Sequence, residues 1–147
     1  MTDRQKKLMI KEIGSRIPYG LYVECKSFYT ADKDESAVSE PVEYNSGPAL
    51  VRGIIGEDIE VWGYERISIE NAKLILRPLS SMTKTEMKEL EILLGHPYNY
   101  WFSEEETIMF IDFLISHRFD YRGLIDMGLA IADEKNVYMR YGIKRND

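Results

Sequence analysis

The chain has 147 residues, enough for one domain with a core of its own, and its 44% hydrophobic and 30% charged content is that of a globular protein, not a disordered one. A single cysteine, Cys25, excludes an internal disulfide framework and any zinc site built from several thiolates. The net charge of −6 is unevenly spread: residues 31–70 hold ten carboxylates against three basic side chains, 3 − 10 = −7, a balance that repels phosphate backbones.

In chain order, Thr2-x-x-Gln5 is a capping box, in which two side chains satisfy orphan amides at a helix start. It opens a helix to about residue 13, with Leu8, Met9 and Ile13 on one face and Gly14 as its stop. The pattern then changes to period two. Leu21, Val23 and Cys25 alternate with polar or amphipathic neighbours, which predicts a half-buried strand with Cys25 as an inert core thiol.

Residues 30–47 carry few large apolar groups and read as a mobile loop or ragged hairpin. Short strands follow over 50–55, 59–62, 67–69 and 74–76, with glycines at 53, 56 and 63 supplying bends. Thr83-x-x-Glu86 and Ser103-x-x-Glu106 open two more helices. The first of these runs from Lys84 with Met87, Leu90, Leu93 and Leu94 inward, and Gly95 and Pro97 end it. The second is apolar enough (Ile108, Ile111, Leu114, Ile115, with Phe110 and Phe113) to be buried on more than one face. Residues 129–131 and 137–141 suggest a closing hairpin, and the C-terminus from about 143 frays.

This order predicts an α+β fold: one domain over 1–147, a small, curled antiparallel sheet packed against three main helices. No apolar run nears the roughly 18–20 residues that span a bilayer, and the N-terminus lacks the apolar core of a signal peptide, so no membrane partner and a cytoplasmic location are expected.

Four segments carry candidate chemistry. HRFDYRG (117–123) gathers His117, Asp120, Tyr121 and Arg122 within a few residues. In the structural assignment, which is preferred, Asp120 caps a short turn over 121–125, Arg122 is its ion-pair partner, and Phe119 and Tyr121 plug the core. The alternatives are a binding loop, or a catalytic site with Asp120 or His117 as base and an Arg as anion clamp. LRPLSSMT (76–83) leads into a helix N-terminus but lacks the glycines of a phosphate cradle, so it reads as a plain strand-to-helix connection. HPYNYWF (96–102) folds onto the sheet as core, or else offers Tyr98, Tyr100 and Trp101 to a partner. The acidic window has no calcium-loop spacing, and His96 and His117 stand alone at helical spacing, so neither metal nor cofactor is expected.

Three blocks together, TDRQKKLMIKEIGSRIPYG, LRPLSSMT and FLISHRFDYRGLIDMGLAI, resemble a family of small uncharacterised proteins of gut Bacteroidales and their phages or prophages. That family carries a helix leading to R-(L/I)-P-Y-G, matched by residues 16–20, an LRP(M/L)SSMT element, and HFDYRGLI-x-x-GLA near the end. This chain has Arg118 where the family has a second His, so a site needing a His pair does not carry over. The resemblance implies a small accessory protein of a mobile element and transfers no activity.

The expected function is a non-enzymatic protein-binding module with an acidic central β region. One alternative is a small-anion binder or enzyme using Arg77, His117, Asp120, Tyr121 and Arg122. Another is nucleic-acid binding through the basic first helix and Lys144-Arg145, or acidic mimicry of nucleic acid, both disfavoured.

Overall fold

The computed structural model describes residues 1–30, 41–62, 66–97 and 101–140, the side chains of 26–30, 41–47 and 140 excepted. In chain order the elements are α1 (Asp3–Arg16), β1 (Tyr22–Thr30), β2 (Pro41–Ile55), β3 (Asp58–Val61), β4 (Ile67–Ser68), β5 (Ala72–Leu76), α2 (Lys84–Leu94), α3 (Glu104–Ser116), β6 (Ala130–Ala132) and α4 (Val137–Arg140). The α+β expectation holds, with one correction to the sheet: it is mixed, in the order β4-β3-β2-β1-β5-β6. All pairs are antiparallel except β5–β6, which run parallel with Leu74 opposite Ala130. The reason is connectivity. The chain leaves β5 through α2 and α3 before returning, and a helical crossover delivers the next strand in the same direction.

One sheet face carries the core. Leu21, Val23 and Cys25 of the β1 segment are fully buried beside Ala49, Val51, Leu74 and Leu76, and Met9 and Ile13 of α1 seal them. Each fully buried aliphatic of this kind contributes roughly 1.5–3 kcal/mol. A second cluster joins Leu90 and Leu94 of α2 to Phe113, Leu114 and Phe119. On the opposite sheet face, Tyr22 and Ile75 are covered by Val137 and Tyr138 of α4.

All three capping boxes form with both reciprocal bonds, at Thr2/Gln5, Thr83/Glu86 and Ser103/Glu106. Gly95 ends α2 in the left-handed conformation, φ 79°, as a helix stop requires. Gly14 does not end α1, which continues a further turn to Arg16. A glycine costs a helix about 1 kcal/mol, and the added turn places Arg16 inside the protein, fully buried.

One other expectation is corrected. The closing hairpin is absent: residues 137–140 form α4, because Asp133 Oδ1 accepts the Val137 amide at 2.8 Å and Tyr138 plugs the second sheet face. Helix α3 packs on both α1 and α2, yet among the described residues it is not buried all round. Phe113 and Leu114 are buried, whereas Ile108 is 61% exposed and Ile111 and Ile115 are half-buried. The expected loop over 30–47 falls partly outside the described residues; its flanks are strand, Thr30 pairing with Pro41.

Candidate functional site

The segment 117–123 lies where α1, β5, α3 and the chain before β1 meet. Its backbone is stitched to the end of β5: the Arg77 amide donates to the Arg118 carbonyl at 2.8 Å, and the Asp120 amide donates to the Arg77 carbonyl at 2.9 Å. Arg118 adopts φ 61°, a left-handed conformation that costs a non-glycine residue about 1–2 kcal/mol. Its amide bonds to Ile115 and its side chain holds the conformation from the other side. The Arg118 guanidinium donates to the Tyr19 carbonyl and, at 3.1 Å, to the Gly20 carbonyl, and lies 4.7 Å from the centre of the Tyr138 ring.

Asp120 is 9% exposed, and its two carboxylate oxygens accept the Leu124 amide at 2.8 Å and the Ile125 amide at 3.0 Å. It caps the turn as expected. Its expected ion pair with Arg122 is not made. Arg122 instead meets Glu12 of α1, a carboxylate only 1% exposed that also pairs with Arg16. Glu12 is the more buried of the two carboxylates, and Asp120 is already satisfied by two backbone amides, so the second arginine goes to Glu12. The Tyr121 hydroxyl donates to Glu12 at 3.4 Å and accepts from Arg122 at 3.2 Å. Tyr121 is half-buried, whereas Phe119 is fully buried, so only the second is a complete core plug.

Arg77 leaves the end of β5 and forms a bidentate pair with Glu86 at 2.6 and 2.7 Å, its guanidinium 4.2 Å from the centre of the Phe119 ring. Glu86 also accepts the Thr83 amide at 3.0 Å, so one carboxylate caps α2 and anchors Arg77. Burial alone would raise the Glu86 pKa, but the hydrogen bonds from Arg77 and Thr83 outweigh it and bring it down to about 2.

His117 is the C-cap of α3. Its Nδ1 lies 2.9 Å from the Phe113 carbonyl, which requires the proton on that nitrogen, and its ring stacks on Phe113 at 4.0 Å. Its Nε2 points toward the Glu89 carboxylate at 3.7 Å.

The structure therefore brings Arg77, His117, Asp120, Tyr121 and Arg122 to one corner, and there each engages the protein's own groups. None of these five lines any of three hollows found on the described surface. Glu12, Arg16 and Tyr138 belong to the same knot and were not among the sequence candidates, and Arg118, noted in the sequence as standing where the related family has a His, joins them. The available signal was the i, i+4 spacing of Glu12 and Arg16 on the face that carries Met9 and Ile13, visible once α1 is extended past Gly14.

Of the aromatic run, Tyr98 and Tyr100 lie outside the described residues. Trp101 is 97% exposed, which corrects the assignment of that residue to the core, while Phe102 packs on Phe110 with ring centres 5.3 Å apart. Burial, followed by the Glu24 charge, pushes the Cys25 thiol up to about 11, so it is protonated at neutral pH and not a nucleophile. Among the described residues no three His, Cys, Asp or Glu side chains converge to hold a metal ion, and no helix is long and apolar enough to cross a membrane. Comparison with known protein families, with curated proteins and with solved structures finds no match to the chain.

Proposed function

We propose that the chain is a non-enzymatic protein-binding module, of the accessory type carried by mobile elements. One observation carries the reading: α3 and the residue stretch before it keep large apolar side chains exposed among the described residues. Ile108, 61% exposed, begins a stripe continued by the half-buried Ile111 and Ile115 at helical spacing, and the 97%-exposed Trp101 precedes the helix. Tryptophan is among the residues most enriched where interfaces concentrate their energy, and a contiguous uncovered apolar surface marks an interaction site more often than an ordinary surface. The acidic stretch 31–70 selects a partner with basic residues and speeds the encounter without fixing the docked geometry. The anion-binding or enzymatic reading of the corner gains no support, because its arginines already hold carboxylates or carbonyl oxygens of the chain.

The test is affinity capture from bacterial lysate with the wild-type chain and with Trp101→Ala and Ile108→Glu, each first shown to unfold at the wild-type denaturant midpoint. Retention of a specific protein by the wild-type chain and its loss from both variants is the expected result. Equal retention by all three, or turnover of a substrate by the purified chain, refutes the reading.

A further inference from the structure

The exposed face of α3 has an apolar centre flanked by carboxylates. Glu104, Ile108 and Asp112 follow one another at four-residue spacing, so they stand in one row along the helix, and all three are exposed. Glu105, three positions before Ile108, flanks the row, and the half-buried Ile111 and Ile115 extend its apolar centre. Trp101, 97% exposed, stands just ahead of the helix. From Trp101 to Ser116 the sequence holds four acidic residues and no Lys or Arg, 0 − 4 = −4. One of the four, Glu106, turns to His96 and to the Ser103 amide. The other three, Glu104, Glu105 and Asp112, make no ion pair among the described residues. Carboxylates in a first turn complement the positive end of the helix dipole, which accounts for Glu104 and Glu105. Asp112 lies two turns further on, where the dipole gives it no role.

The backbone of α3 is bonded within the helix, so an occupant reaches this face through side chains and cannot add a strand to it. Another helix fits, because 13 residues offer a row about 20 Å long for ridges to pack along. A second copy of α3 does not fit. A two-fold axis at Ile108 would set Glu104 of each chain against Asp112 of the other, and like charges so placed select against the pairing. We propose, on the reading of α3 as the docking face, that its occupant is a basic amphipathic helix of a different protein. The apolar side of that helix covers Ile108 and Trp101, and the Lys or Arg residues flanking that side meet Glu104, Glu105 and Asp112.

The test uses the full chain and three labelled helical peptides about as long as α3, each with one leucine face and the other face of lysine, glutamate or glutamine. Fluorescence anisotropy reads the affinities at low salt. The wild-type chain is expected to bind the lysine peptide at least about tenfold more tightly than the glutamate peptide, and Glu104→Lys with Asp112→Lys to reverse that order. Asp126→Lys with Glu134→Lys, two exposed carboxylates outside α3, brings the net charge to the same −6 + 4 = −2 and is expected to keep the wild-type order. Equal loss of preference in both double variants would reduce the effect to net charge and overturn the proposal. So would a wild-type chain that binds the three peptides equally or not at all, or one that sediments as a dimer until Ile108→Glu is introduced, which assigns the face to a second copy. Should the lysine variants fail to fold, Glu104→Gln with Asp112→Asn decides: the lysine peptide loses its advantage over the glutamine peptide, and an unchanged advantage overturns the proposal. Binding weakened by Trp101→Ala but indifferent to the α3 charges leaves α3 a docking face and sinks only the basic partner; binding indifferent to both sinks the docking face as well.

Discussion

Arg16 donates through Nη2 to the Phe119 carbonyl at 3.1 Å, joining the end of the first helix to a turn 103 positions later. Arg118 answers in the opposite direction, with its guanidinium on the carbonyls of Tyr19 and Gly20. The two contacts lock the end of α1 and the residues after it to the turn that follows α3, and Arg77 ties the end of β5 into the same place. Buried carbonyl oxygens need donors, and an arginine supplies several from one fork. The polar density of the corner is thus explained by backbone groups that have no strand or helix partner there.

Asp120→Asn tests the cap. An asparagine retains one acceptor oxygen and loses the charge, so either the Leu124 or the Ile125 amide loses its partner. We expect a loss of about 1–2 kcal/mol in denaturant unfolding at neutral pH, with no change in the helices by circular dichroism.

Glu86 sets an acid limit. Its folded pKa, about 2, lies below its unfolded value, so its contribution is complete above roughly pH 4.5 and is lost as pH falls toward 2. Replacing Arg77 with Met removes the main cause of the depression. Unfolding midpoints measured between pH 5 and pH 2 are expected to fall less steeply in Arg77→Met than in wild type, from a lower starting value.

Cys25 reports on the core. With no exposed surface and a pKa near 11, it should resist a thiol-specific disulfide reagent at pH 8 in the native protein and react at once in denaturant. Fast labelling of the native chain would mean that the β1 edge of the core opens readily.

Much of this fold was written locally. The three capping boxes mark the starts of the long helices because both halves of the device lie within four residues, and the alternation around Val23 marks a strand because one face is dry. What was illegible depends on distant partners. The extra turn of α1 is held by Glu12 and Phe119, the second of which lies at the far end of the chain. Helix α4 defeats a strand-like sequence because the Tyr138 hydroxyl bridges two strands, accepting from the Tyr22 amide at 3.1 Å and donating to the Ile75 carbonyl at 2.7 Å. The exposed side chains of α3 escaped a pattern that shows how apolar a helix is and not what stands beside it. At the candidate site, the Asp120 cap was readable from its spacing, but the exchange of Arg122 from Asp120 to Glu12 was not, since 110 residues separate that pair.

The most direct test of the locked corner is denaturant unfolding of Arg16→Met. The substitution keeps the volume and strands Glu12, which then relies on Arg122 alone. The account predicts a loss of about 3–5 kcal/mol, with part of it restored when Glu12→Leu is added to remove the stranded charge. Stability within about 0.5 kcal/mol of wild type, or a gain, would mean that these groups are held ready for a ligand and not for the chain itself.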